Sequence, residues 1–143
     1  MDTKHTLHVS IVTPETTAFE GEALAVSVPG SQSPFQVLFN HAPIISSLDI
    51  GVIKIETPSN AINIFASREG FIEVLKNTVN IVVGELLPAT TIDEDDAENA
   101  VTRAREHFND THGRHERKVA LDALHWAEAQ WRAAKLEREG GIH

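Results

Sequence analysis

A change of chemical character at Pro88 constrains this chain more than any other feature. Residues 1–88 carry 20 of the 24 valines and isoleucines and all six prolines. Residues 89–143 carry ten alanines, 20 of the 33 charged side chains and no proline. Side chains branched at Cβ suit pleated strands, whereas alanine and long charged side chains suit helices. The seam therefore predicts an α+β chain of two modules. Residues 1–88 are expected to form an antiparallel β-sandwich, and residues 89–143 an antiparallel two-helix hairpin. So short a helical module makes a poor core alone and must lie on something.

Within the first module, Leu7–Val12 alternates as a half-buried strand should, and Thr13-Pro14-Glu15 closes it. Further runs are expected at Ala23–Val28, Pro34–Phe39, Ile44–Leu48, Val52–Thr57, Ala61–Ser67, Phe71–Leu75 and Val79–Val83. Pro29-Gly30, Asn40-His41-Ala42-Pro43, Pro58-Ser59-Asn60 and Asn77 punctuate them. Turn signals at this spacing mark a sandwich or barrel, and no helix-length segment intervenes to build parallel βαβ units.

The second module opens with Thr91 three residues before Glu94, which predicts a capping box. Asp93, Glu94, Asp95 and Asp96 crowd the first turn, where the helix dipole favours negative charge. This accounts for the acidic run without a cation site. Ala97, Ala100, Val101, Ala104 and Phe108 fall on one face. After a break at 109–113, a second helix is expected from about Glu116 to Glu139. Its stripe is Ala120, Ala123, Leu124, Ala127, Trp131 and Ala134. Small residues let two helices approach closely, so the stripes should face each other.

Composition and motifs exclude several chemistries. With no cysteine, the chain has neither disulfides nor thiolate ligands. A net charge of −9 opposes binding to a phosphate backbone, so no nucleic-acid partner is expected. Met1-Asp2-Thr3-Lys4 lacks the basic and apolar regions of a signal peptide. No apolar run approaches the roughly 20 residues needed to cross a bilayer. Neither GxGxxG, GxxxxGK[ST] nor GxSxG occurs, so no catalytic residues are assigned. His115-Glu116 begins like a zincin helix, but Val119 occupies the place of the second histidine. His107, His112 and His115 cluster near the hairpin turn, and their polar, glycine-containing surroundings suit a solvated turn better than a closed zinc site. No metal or cofactor is expected.

Two features of the second helix invite a binding role. Trp126 falls off the alanine stripe and is expected either to pack on the sandwich or to face a partner. Arg132, Lys135 and Arg138 form a basic edge on an acidic protein. They either complement the helix dipole, with Glu128 paired to Arg132, or meet an acidic surface.

One stretch exceeds generic patterning: Val28-Pro29-Gly30, followed by Phe35-Gln36-Val37-Leu38-Phe39-Asn40-His41-Ala42-Pro43-Ile44-Ile45. With Ile11-Val12-Thr13-Pro14-Glu15, Phe19-Glu20-Gly21-Glu22 and Gly70-Phe71-Ile72-Glu73-Val74, it resembles the epsilon subunit of F-type ATP synthase, in its bacterial form. The likeness spans nearly the whole chain, including the order of sandwich and hairpin. It implies a non-catalytic central-stalk subunit that binds the gamma subunit and the c-subunit ring. On that reading the chain sits peripherally on the cytoplasmic side of a bacterial inner membrane. The resemblance places Asn40, His41, Ala42 and Pro43 near the c-ring end; read from the residues alone, His41-Ala42-Pro43 is a rigid turn. It gives Arg132, Lys135 and Arg138 a target in acidic segments of the alpha/beta head, towards which the hairpin can extend and oppose ATP hydrolysis. The reading that stands against it is a soluble sandwich adaptor presenting the hairpin to another partner.

Two departures from the family pattern matter. Ser33 and Arg68-Glu69-Gly70 stand where the family often has glycine or a Gly-Gly pair. Some members bind ATP through Ile/Leu-Asp-x-x-Arg-Ala plus arginines of the second helix. Here Ile92, Asp93 and Ala97 are kept, Asp96 replaces the arginine, and Trp126 and Gln130 take the second-helix positions. An aspartate facing a triphosphate repels it, so little or no ATP binding is expected.

Overall fold

The computed structural model describes residues 5–141. Ten strands precede two helices: β1 Leu7–Val12, β2 Thr17–Ala23, β3 Ala25–Val28, β4 Phe35–Leu38, β5 Ile44–Leu48, β6 Gly51–Glu56, β7 Ile62–Ser67, β8 Gly70–Leu75, β9 Thr78–Val83 and β10 Leu86–Pro88, followed by a 3-10 turn at Ala89–Thr91, α1 Glu94–Asp110 and α2 Arg114–Arg138. The strands form two five-stranded sheets, β2-β1-β9-β8-β5 and β10-β7-β6-β3-β4. Every pairing is antiparallel except β1 with β9, which run parallel. No helix bridges that pair in the manner of a βαβ unit; the chain reaches β9 only after visiting both sheets.

Alternation decides what lies between the sheets. Leu7, Val9 and Ile11 of β1, Ile72 and Val74 of β8, and Val79, Ile81 and Val83 of β9 point inward from one side. Val26 and Val28 of β3, Val37 of β4, Ile53 and Ile55 of β6 and Phe65 of β7 meet them from the other. A one-residue slip in any of these strands would turn its apolar set to solvent, so the core fixes register. Asn40, Asn60, Lys76 and Asn77 adopt positive φ, and three of these four turn positions are asparagine, which tolerates the left-handed region.

Two strands depart from the sequence expectation. The single run Ala23–Val28 is divided: β2 ends at Ala23 on one sheet, Leu24 donates its N–H to the Glu56 carbonyl at 2.7 Å, and β3 begins at Ala25 on the other. β2 hides as a strand because Glu20, Gly21 and Glu22 lie on it, and it is an edge strand with one solvated face. The short β10 is a second edge strand that sequence patterning misses.

The Arg68-Glu69-Gly70 departure has a defined shape. The crossings from β7 to β8 and from β9 to β10 run side by side. Arg68 N–H donates to the Glu85 carbonyl at 2.9 Å, and Gly84 N–H donates to the Glu69 carbonyl at 3.2 Å. Gly70 is compelled by proximity: a Cβ there would sit 1.9 Å from the Val82 carbonyl oxygen and 2.8 Å from Val83 Cα. Backbone cannot yield as a side-chain tip can. Gly70→Ala should therefore destabilise the chain by about 1–3 kcal/mol, the range of overpacking in a close-packed interior. Urea denaturation checks this, and a midpoint equal to that of the parent chain would contradict it.

Candidate functional site: the two outer faces of the sandwich

The two sheets differ in what covers their outer faces. On the β10-β7-β6-β3-β4 sheet, Ile64 and Ala66 point outward from β7 and are buried beneath α2, whose Ala129 and Ala133 meet them with Ala89. Trp126, Leu136, Val52 and Ile92 complete this apolar contact. Trp126 thus packs on the sandwich, with the Arg68 guanidinium 4.9 Å from its ring centroid. The stripe Trp126, Ala129, Ala133, Leu136 steps at +3, +7 and +10, a helical face legible in the sequence beside the hairpin stripe.

The second helical face closes the hairpin. Val101, Leu124 and Ala127 are buried between the helices with Ala100, Ala104, Phe108, Leu121 and Trp131. Ala123, placed on this stripe by its spacing, is exposed instead. The capping box is also replaced. Thr91 lies in the 3-10 turn and donates its hydroxyl to the Pro88 carbonyl at 2.7 Å. Asp93 caps α1, its carboxylate accepting from Asp96 N–H at 2.9 Å. With the cap at Asp93, Thr91 lies outside the helix and its hydroxyl serves the 3-10 turn instead. The far turn is held by Arg117, which donates to the carbonyls of Phe108 and Thr111 at 3.2 and 2.7 Å. His107, His112 and His115 are exposed around it. Among the described residues no group of three His, Cys, Asp or Glu is arranged to hold a metal ion.

Arg132, Lys135 and Arg138 do not share one set of contacts. Arg138 folds back on the start of α1, where Nε donates to Glu94 Oε1 at 2.6 Å and Nη2 to Oε2 at 3.4 Å. Glu94 holds that guanidinium still more firmly protonated. Lys135 Nζ lies 3.8 Å from the centroid of the Trp131 ring. Arg132 is exposed and lines an open groove of about 810 Å³ between α2 and the loop Pro29–Pro34. Glu128 pairs with Arg105 of α1 at 3.3 Å rather than with Arg132. Both partners are substantially exposed, so that bridge sets alignment more than stability.

Ile92, Asp93, Asp96 and Ala97 do converge. With Leu87, Thr91, Ala100 and Gln130 they line one cleft of about 410 Å³ at the root of the hairpin. Asn40, His41, Ala42 and Pro43 lie at one end of the sandwich, beside the β8–β9 turn. Asn40 N–H donates to Asn77 Oδ1 at 2.6 Å, and Asn77 Nδ2 donates to Asn40 Oδ1 at 3.1 Å. His41 Nδ1–H donates to the Ala42 carbonyl at 2.7 Å, and its ring faces Phe35 with centroids 6.4 Å apart. These contacts make a preformed knob of polar tips.

The other outer face, on the β2-β1-β9-β8-β5 sheet, carries exposed apolar residues in register. Phe71 of β8 pairs with Val82 of β9, and Val82 with Val12 of β1, making a row across three strands. Ile45 of β5 and Leu75 of β8 extend it, with Phe71 49 % and Ile45 74 % exposed. Large side chains exposed together on one sheet face mark a docking surface. Strand alternation alone could have exposed this row, because Phe71, Glu73 and Leu75 share a face opposite the buried Ile72 and Val74.

A model of the ATP synthase delta/epsilon chain, beta-sandwich domain, matches residues 6–89. The chloroplastic ATP synthase epsilon chain of Tetradesmus obliquus is 35% identical over 130 residues, which cover 91% of this chain and 95% of that one. The epsilon chain of Desulfitobacterium hafniense is 35% identical over 91% of this chain and 97% of its own length. The chain belongs to the ATP synthase delta/epsilon family. Its fold is shared with a chain of the Euglena gracilis mitochondrial ATP synthase OSCP/F1/c-ring assembly, at a TM-score of 0.80 and 17% identity, covering 100% of this chain and 85% of that one. A chain of the Tetrahymena thermophila central stalk/c-ring structure gives a TM-score of 0.66 at 16% identity, over 93% of this chain and 99% of that one.

In this member of the ATP synthase delta/epsilon family the centre of the contact between α2 and β7 is made on the helix side by alanines, with Trp126 and Leu136 beside them. Ala133 is fully buried there. Ala133→Leu should lift α2 from the sheet at a cost of about 1–3 kcal/mol while sparing the sandwich. Amide exchange should quicken along α2 and stay unchanged in β1, β8 and β9. Unaltered exchange in α2 would show that the helix is held by something else.

Proposed function

We propose that this chain is the non-catalytic epsilon-type subunit of an F-type ATP synthase rotor, coupling the gamma subunit to the c-ring. The observation that carries the reading is the asymmetry of the sandwich: one outer face is covered by the chain's own hairpin, and the other presents an apolar row that none of the described residues covers. The names and coverage of the relatives support it. The gamma subunit takes the face of Phe71, Val82 and Val12, and the knob of Asn40, His41, Ala42 and Pro43 meets the c-ring. Residues 1–88 are the binding module and residues 89–143 the regulatory one. We place the complex on the cytoplasmic side of a bacterial inner membrane, a placement supported by the bacterial relatives; the chloroplast relatives, of equal identity, mark the chloroplast as its alternative. No helix of the described residues is long and apolar enough to cross a membrane, in keeping with a peripheral subunit.

The hairpin contributes regulation. Its contact with the sheet is small and alanine-rich, so exchanging it for another surface costs little. Arg132, Lys135 and Arg138 supply charge for an acidic segment of the alpha/beta head, but Arg138 must first leave Glu94 and Lys135 must leave Trp131. Trp126 is an anchor of the docked form rather than a contact of the extended one. The cleft at Ile92, Asp93, Asp96 and Ala97 is a weak nucleotide site, since Asp93 and Asp96 both line it and Gln130 offers no charge.

Three measurements test the proposal. Phe71→Asp should prevent incorporation into a complex lacking its own epsilon subunit, because it buries a charge without a partner; normal incorporation would reject the face. A chain ending at Pro88 should incorporate and raise ATP hydrolysis by about fivefold or more, the effect of a coupling of roughly 1 kcal/mol. Equal rates would deny the hairpin its inhibitory role. Calorimetry should find no saturable ATP binding below about 1 mM, and a submillimolar dissociation constant would overturn the account of the cleft.

A further inference from the structure

The docking face has a titratable corner that the coupling role leaves unused. His8 of β1 stands opposite Glu22 of β2, and Ser10 opposite Glu20, so three side chains of two paired strands share this face. His8 Nδ1 lies 3.0 Å from Glu22 Oε2, and Nε2 lies 3.2 Å from Glu20 Oε2. A carboxylate only accepts. A neutral imidazole donates from one nitrogen and presents a lone pair at the other, so only imidazolium satisfies both contacts. Thr6 donates its hydroxyl to the other Glu22 oxygen at 2.7 Å, which fixes that carboxylate independently of His8.

We propose that His8, Glu20 and Glu22 form a pH-responsive clamp at the edge of the docking face, which changes the charge that face presents to a partner. This rests on the reading of that face as an interface. Protonated, the cluster carries one net negative charge and ties β2 to β1 through both carboxylates. Deprotonated, it carries two. The shorter Nδ1–H bond to Glu22 survives, because Thr6 holds its acceptor, and Glu20 is released. Among the described residues, the outward side chains of β9 beside His8 are the uncharged Thr78, Asn80 and Val82, and on β8 beyond it Glu73 stands opposite Asn80.

The direction of titration agrees. Hydrogen bonds to Glu22 and then Glu20 hold the His8 imidazole protonated above its ordinary value of 6.5. Glu22 is held below its ordinary 4.5, chiefly by the Thr6 hydroxyl and then by His8. A raised histidine contributes stability that is full below 6.5 and lost as pH rises through its folded value. A lowered carboxylate contributes stability that is full above 4.5 and lost as pH falls through its folded value. The clamp is therefore tightest between those limits, and it opens as pH rises above the ordinary histidine value.

An NMR titration of the imidazole signals of the full chain tests the clamp directly. His8 should titrate above the ordinary histidine value, and Glu20→Gln should move it back while leaving the melting temperature near that of the parent chain. An ordinary value in the parent chain, or one that Glu20→Gln fails to move, overturns the proposal. Binding of the same chains to an epsilon-depleted ATP synthase complex tests the consequence. The parent chain should change its affinity about threefold between about pH 5.5 and about pH 8, within the range of exposed charge effects, and His8→Gln should flatten that change. Equal pH dependence in parent and His8→Gln overturns the regulatory step. Failure of Phe71→Asp to weaken binding overturns the face itself and leaves the titration result standing.

Discussion

The seating of α2 against β7 decides which outer face of the sandwich is covered and which stays open. Ala129 and Ala133 on the helix meet Ile64 and Ala66 on the strand, with Ala89 filling the corner. The contact gives both faces of one sheet a partner, so β7 is buried on its two sides, as its near-continuous apolar run Ile64-Phe65-Ala66 requires. It also leaves the other sheet with one free face. The division of labour between a covered sheet and an open one follows from that single choice.

The same contact suits the proposed pairing of a rigid coupler with a movable regulator. The sandwich core contains large β-branched side chains packed from both sheets, each contributing about 1.5–3 kcal/mol on burial. The alanines of α2 each remove far less area from water, and Trp126 and Leu136 beside them are its larger contacts. The clasp of Arg138 on Glu94 and the stacking of Lys135 on Trp131 lie at the exposed rim, where ionic contacts contribute little and set alignment. The sandwich is therefore fixed, and the hairpin is held by small increments that a competing surface can replace.

Much of this was legible in the residues, and the limits of that reading are physical. Strands buried on one side announce themselves by alternation, as in Leu7–Val12 and Thr78–Val83. β2 escaped because an edge strand with a solvated face needs few apolar residues, and its glutamates serve His8 rather than the core. The hairpin stripe was visible from spacing, yet the second stripe of α2 was overlooked, since two faces on one helix dilute each other's period. Capping moved from Thr91 to Asp93 because both offer an acceptor, and only the position of the 3-10 turn decides between them. The basic residues Arg132, Lys135 and Arg138 read as one patch along the sequence; in space Arg138 folds onto Glu94 and Lys135 onto Trp131, while Arg132 lines an open groove. Pairings such as Glu128 with Arg105 join residues distant in sequence and leave no trace in local pattern.

The central claim is that the open sheet faces the rotor while the covered sheet faces away. The chain has no cysteine, so single cysteines can be introduced and their labelling followed without background. Val82→Cys on the open face and Gln36→Cys on the opposite sheet should react equally with a maleimide in the free chain. In the assembled complex the account predicts that Val82→Cys becomes protected and Gln36→Cys stays reactive. The reverse pattern, or undiminished labelling of Val82→Cys in a chain shown to be incorporated, would contradict it.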